Sequence, residues 1–249
     1  MIKEDFKNPI LASVAATFPM ALMLLSTYIK PFIGVGAKYI WYFAIGLHII
    51  LIVYFTIKFL LKLQMPKVFA SYFIVYVGIA VAAVTAPAFE ELAIGAGAFW
   101  FGFLTLIGLL VLVTIRYMKY KEIPEPAKPL FCIYAAPTSL CVAGYVQSVT
   151  PKSREFLLAM LLVATMLYVL ALVKAISYLK LKFYPSYAAF TFPFVISAIA
   201  TKQTMVCLAN MKQPIPMLRY VVLIETVIAV LFMIYTFIRF LQFIFVDHK

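Results

Sequence analysis

Apolar residues occupy the chain in long runs, near 9–29, 37–63, 66–88, 91–117, 128–150, 154–179, 184–210 and 216–246, separated by short intervals rich in charge or proline. A helix needs about 20 mostly apolar residues to cross a hydrocarbon core about 30 Å thick, so the pattern predicts eight spans. Lipid gives the backbone no hydrogen-bond partner, which leaves helices or a closed barrel. The short alternating segments of a barrel do not occur in the sequence, and the expected fold class is all-α. The whole of 1–249 reads as a single polytopic transmembrane domain. The first run follows the mixed-charge segment Lys3-Glu4-Asp5-Phe6-Lys7 and shows no small-residue cleavage site, so it reads as a retained span.

The runs repeat in pairs. Asn8-Pro9, Met65-Pro66, Lys128-Pro129 and Tyr184-Pro185 each open a run, at intervals of roughly 60 residues, two spans each. Proline suits the first turn of a helix, where its missing N–H is not needed. The spacing therefore predicts four helical hairpins near 9–63, 66–117, 128–179 and 184–246. Within a hairpin the first span is rich in small and helix-breaking residues, as in Ala12-Ser13-Val14-Ala15-Ala16-Thr17-Phe18-Pro19 and Ala135-Ala136-Pro137-Thr138-Ser139, and the second is plainer, as over 157–172. Small-residue helices pack closely inside and plain ones face lipid, which predicts an inner ring and an outer ring. Pro19, Pro137 and Pro193 fall within three inner spans, and Gly78 takes the corresponding place in the fourth. Such breaks kink a membrane helix and free a carbonyl, tolerable where protein or a water-filled cavity covers it. Four kinks around one axis predict a pore.

Composition agrees with a lipid solvent: 66% of residues are hydrophobic, 12% are charged and mean hydropathy is +1.06. The net charge of +12 would suggest nucleic acid as a partner in a soluble protein, but the basic residues lie between apolar runs and report orientation instead. Alternating the loops places Lys3, Lys7, Lys58, Lys62, Lys67, Arg116, Lys119, Lys121, Lys128, Lys180, Lys182, Arg239 and Lys249 on the side of both termini. Lys30, Lys38, Lys152, Arg154, Lys212 and Arg219 fall opposite. The excess predicts cytoplasmic termini and an even number of spans. Cys132, Cys141 and Cys207 lie in apolar runs without metal-ligand spacing and read as small core residues.

Candidate chemistry is sparse. Glu4, Asp5, Glu90, Glu91, Glu122, Glu125, Glu155 and Asp247 lie in loops, tails or span ends, which leaves Glu225 as the intramembrane carboxylate. Cation pathways usually require buried carboxylates. His48 stands alone in an apolar run and His248 lies in the tail; neither has the partners of a catalytic site, so no enzyme and no cofactor is expected. Lys202 sits about two turns inside an inner helix, where a charge is costly without a partner. It reads equally as an anion site or as the ion-pair partner of Glu225, which lies at similar depth. Thr17, Thr138, Ser139, Thr191 and Ser197 are able to replace part of an anion's hydration shell, although such hydroxyls also bond backbone carbonyls in ordinary membrane helices. Phe190 and Phe192 bracket Thr191. Core packing is their plainer reading; a bulky ring that excludes water from the narrowest point of a pore is the sharper one.

These residues carry a resemblance. Asn8-Pro9 with Thr17-Phe18-Pro19-Met20-Ala21, Ala135-Ala136-Pro137 before Gly144-Tyr145, and Ala189-Phe190-Thr191-Phe192 are together similar to the tellurite-resistance/dicarboxylate transporter family, which includes the plant slow anion channels. The resemblance implies a homotrimer in the plasma membrane, each protomer having an inner ring of kinked helices around its own anion pore. It places a gate at Phe192. It also implies five hairpins where four are present, with Asn8-Pro9 resembling the start of the second. The expected function is gated conduction of small inorganic or organic anions; the alternative is a proton-coupled carrier of C4-dicarboxylates or oxyanions such as malate, sulfite or tellurite.

Overall fold

A computed structural model describes residues 6–245 of the chain; Lys3, Glu4, Asp5, Asp247, His248 and Lys249, named above among the terminal charges, lie outside them. Among the described residues eight helices are long and apolar enough to cross a membrane: α1 (Pro9–Ile33), α2 (Gly36–Leu60), α3 (Tyr72–Phe89), α4 (Leu92–Lys119), α5 (Glu125–Ser148), α6 (Arg154–Tyr178), α7 (Pro185–Asn210) and α8 (Leu218–Phe245). The all-α reading and the eight spans stand. The largest difference is at α3, which begins at Tyr72 because Pro66 belongs to a separate 3₁₀ turn over Met65–Lys67.

Three of the four hairpins turn on a residue with positive φ: Gly34 (φ 57°) between α1 and α2, Glu90 (φ 61°) between α3 and α4, and Lys212 (φ 59°) in the longer connection between α7 and α8. The two kinds of span differ in burial as their composition predicts. In α3 and α5, 78% and 89% of the apolar stretch is buried; in α2, α4, α6 and α8 the share is 17%, 28%, 33% and 22%. The contrast is weaker for α7 and slight for α1, which bares Leu11, Val14, Phe18, Leu25 and Tyr28 at helical three-, four- and seven-residue spacing.

The small-residue spans do not run as uniform α-helices. α1 breaks after Val14 and restarts at Thr17. α3 passes through a 3₁₀ turn at Val77–Ile79. α5 is 3₁₀ over Glu125–Ala135 and α-helical over Ala136–Ser148. α7 is 3₁₀ over Pro185–Phe190 and α-helical over Phe192–Asn210. Pro19, Pro137 and Pro193 thus stand in the first turn of an α-segment. The expectation that each removes a bond from a continuous helix is corrected accordingly: a first-turn N–H has no intrahelical acceptor, so proline there sacrifices no intrahelical bond.

The chain groups into two compact units, one comprising α1–α4 with Gly144–Lys152, the other Glu122–Ala143 with α6–α8. In the first, small residues let helix backbones approach closely. A Cβ added at Gly95 would lie 2.6 Å from the Ala86 Cβ and would run into the Ser148 hydroxyl; one at Gly144 would lie 3.0 Å from the Ala83 Cβ. The buried Trp41 indole donates to Thr85 Oγ1 at 2.7 Å. Arg116, buried at the end of α4, donates to the Pro66 and Tyr120 carbonyls, each at 3.1 Å, and stacks over Phe69. At the opposite end, Lys38 and Tyr42 hold Glu91 at 2.6 and 2.5 Å, and Lys30 bonds the Ala88 carbonyl. In the second unit Tyr187, Phe190, Phe194 and Phe232 form the aromatic core, with Phe194 and Phe232 stacked at 4.6 Å.

Candidate functional site

Three of the sequence-derived residues lie in the first unit. Thr17 is exposed at the head of the second segment of α1, where its hydroxyl donates to the Val14 carbonyl at 2.7 Å; Pro19, two residues on, is buried. Gly78 lies in the 3₁₀ turn of α3 and admits two neighbours: a Cβ there would lie 2.6 Å from Met20 Sδ and 3.0 Å from His48 Cε1. The imidazole it accommodates is buried, with Nε2 2.9 Å from the Val75 carbonyl. A carbonyl only accepts, so Nε2 carries the proton. His48 therefore ties α2 to α3 at the point where α3 changes its winding, a role its isolation in the sequence did not announce.

The others lie in the second unit. Ser139 and Ser197, one on α5 and one on α7, face each other at 3.0 Å, and both donate to the Ala135 carbonyl, at 2.8 and 3.2 Å. Pro137 and Pro193 stand a short way N-terminal to the two serines, so the linked carbonyl lies where both helices turn α-helical. Thr138 is buried and its hydroxyl has no partner. It is the hydroxyl of the set with an unspent hydrogen bond. That of Thr191 is taken up by the Ala188 carbonyl.

Phe190 and Phe192 part company. Phe190 is fully buried against Tyr187 and Phe232. Phe192, the first α-helical residue of α7, is half-buried and lines an open apolar groove of about 490 Å³ with Thr191 and Val195 of the same span and Met233, Phe237 and Phe240 of α8. Further along that face Ile199, Lys202 and Val206 are exposed. Phe192 and Lys202 thus share one uncovered stripe of α7.

The suggested pairing of Lys202 with Glu225 is corrected. Lys202 is exposed, whereas Glu225 is buried and its carboxyl meets the Thr201 hydroxyl. Equal depth brought the two helices to the right level, but neighbouring residues on a helix point about 100° apart. Thr201 rather than Lys202 faces α8. The periodicity of buried Ser197, Thr201 and Thr204 on α7 was the signal that distinguishes them.

Outside the spans, hydrogen bonds from Lys38 and Tyr42 hold the Glu91 carboxyl below its ordinary range, while the Tyr184 phenol is pushed up, chiefly by its bond to Glu125. Among the described residues no cluster of three or more His, Cys, Asp or Glu is placed to hold a metal. The residues singled out above offer hydroxyls, an exposed lysine and an apolar ring. No curated protein matches the sequence. Residues 1–241, nearly the whole chain, match the voltage-dependent anion channel family, a family of anion-transport proteins and not of enzymes. With that extent of match and eight spans, the chain belongs to the voltage-dependent anion channel family.

Proposed function

We propose that the protein conducts small anions through a central pore gated by Phe192. The observation that carries this reading is the position of that ring, half-buried where α7 becomes α-helical and on the same uncovered stripe as Lys202. A ring that fills a constriction excludes water and with it a hydrated ion; the lysine draws anions toward the same face. Thr17, Thr138 and Ser139 are the hydroxyls assigned to the pathway, and Pro19, Gly78, Pro137 and Pro193 set the helix breaks that line it. The working assembly is a homotrimer in the plasma membrane with both termini cytoplasmic. Chloride and nitrate flux in liposomes tests the gate: Phe192→Ala raises flux several-fold, and unchanged or reduced flux from correctly folded protein removes the assignment.

A second reading, proton-coupled carriage of C4-dicarboxylates or oxyanions, is favoured by the buried carboxyl of Glu225, since coupling needs a titratable group in the membrane. Malate or sulfite uptake driven by an imposed pH gradient distinguishes it from a channel.

A further inference from the structure

Among the described residues Glu225 is the buried carboxyl. It lies about 10 Å along α8 from Leu218, and Thr201 lies about 14 Å along α7 from Asn210, so the two meet well inside their spans. The Thr201 hydroxyl bonds the carboxyl and Tyr168 of α6 lies close enough to sense its charge. All three residues are buried, yet Glu225 Oε2 and the Tyr168 hydroxyl have no hydrogen-bond partner, and neither has the buried hydroxyl of Thr204 on the next turn of α7. Among the described residues no cation is paired with the carboxyl. On α7, Lys202 points away and is exposed; on α6 the facing titratable group is Tyr168 itself. On α8, Arg219 is exposed and stacks on Tyr220.

A bare carboxylate in such a place lacks the counter-charge or the several donors that would replace its hydration. The acid form needs less. It supplies its own O–H donor, and a hydroxyl both donates and accepts, so Thr201 and Tyr168 suffice as neighbours. We propose that Glu225, Thr201 and Tyr168 form a proton-binding site buried in the second unit, whose occupancy sets the rate of anion passage along α7. The proton comes from hydronium, whose O–H bond breaks as the carboxyl O–H forms, leaving water. Loss of the proton places a negative charge one residue behind Lys202 and weakens that lysine's attraction for anions. Flux therefore rises as pH falls.

The proposal rests on the anion-transport reading, and the experiment has two separable arms. In the first, infrared difference spectra of the full chain in lipid are recorded across an acid-to-alkaline titration. A protonated-carboxyl carbonyl band appears on acidification, is lost in Glu225→Gln and shifts in Thr201→Val and Tyr168→Phe. In the second, chloride flux in liposomes increases several-fold on acidification in the unaltered protein, while Glu225→Gln, which mimics the neutral acid and preserves its shape, is fixed near the acid-side rate at every pH. Absence of the band, or a band that does not titrate, overturns the site. A Glu225→Gln flux that keeps the ordinary pH dependence overturns the coupling. If no anion moves in any preparation the transport reading fails, and the infrared arm still decides whether the proton is held.

Discussion

Two phenylalanines on either side of Thr191 occupy opposite surroundings, one enclosed and one on an open groove. Phe190 is enclosed by Tyr187 and Phe232, so Phe190→Ala leaves a cavity and is expected to cost about 3–5 kcal/mol, seen as a marked fall in the thermal unfolding temperature in detergent. Phe192→Ala, on the open groove, changes unfolding little while changing flux. The residues by themselves did not distinguish the two rings, and only the family resemblance singled out Phe192, because which ring turns inward depends on the change from 3₁₀ to α winding between Phe190 and Phe192. Lys202 and Glu225 repeat the lesson. Depth was legible from the distance to the turn, azimuth only from the spacing of Ser197, Thr201 and Thr204, and a Lys202→Ala/Glu225→Gln double-mutant cycle on stability should be additive within about 0.5 kcal/mol.

At the scale of the helix, the paired spans, the alternation of small-residue and plain segments and the location of each break were readable in the sequence. Long apolar runs and proline positions depend on local composition alone. Less readable was what the breaks do, since Pro19, Pro137 and Pro193 begin α-segments instead of bending continuous ones. Helix contacts that depend on a missing side chain are testable. Gly95→Ala drives a methyl into Ala86 and Ser148, and the overpacking is expected to cost about 1–3 kcal/mol, measured by unfolding in detergent. The turn joining α3 and α4 adds a pH dependence. Glu91 is held below its ordinary range by Lys38 and Tyr42, so its contribution to stability is complete above the unfolded carboxylate value and is lost as pH falls through the lower folded one. Lys38→Ala should flatten that acid limb of the unfolding curve.

For the whole molecule, hydrophobic patterning specified the number of spans and motif resemblance specified the family, and residues 1–241 match it. Orientation rests on the excess of basic residues on the side of the termini, an expectation that protease or thiol-label accessibility at engineered cysteines near Lys62 and Lys212 will test. Label is expected to reach the Lys212 turn from outside the cell and the Lys62 turn only after permeabilisation.

The serine pair of the second unit bears on how fast such a protein can respond. Ser139 donates to the Ala135 oxygen, and the single Ser197 proton is shared between the Ala135 and Pro193 carbonyls, at 3.2 and 2.9 Å. Sliding α7 along α5 would have to break this knot in a medium without water to replace the lost bonds. In the gate reading, opening at Phe192 then proceeds by rotation of the half-buried ring about its own side-chain bonds, which is faster than the microseconds of a helix shift. Openings that brief are averaged in a single-channel current record, which is expected to show one steady conducting level without long closures.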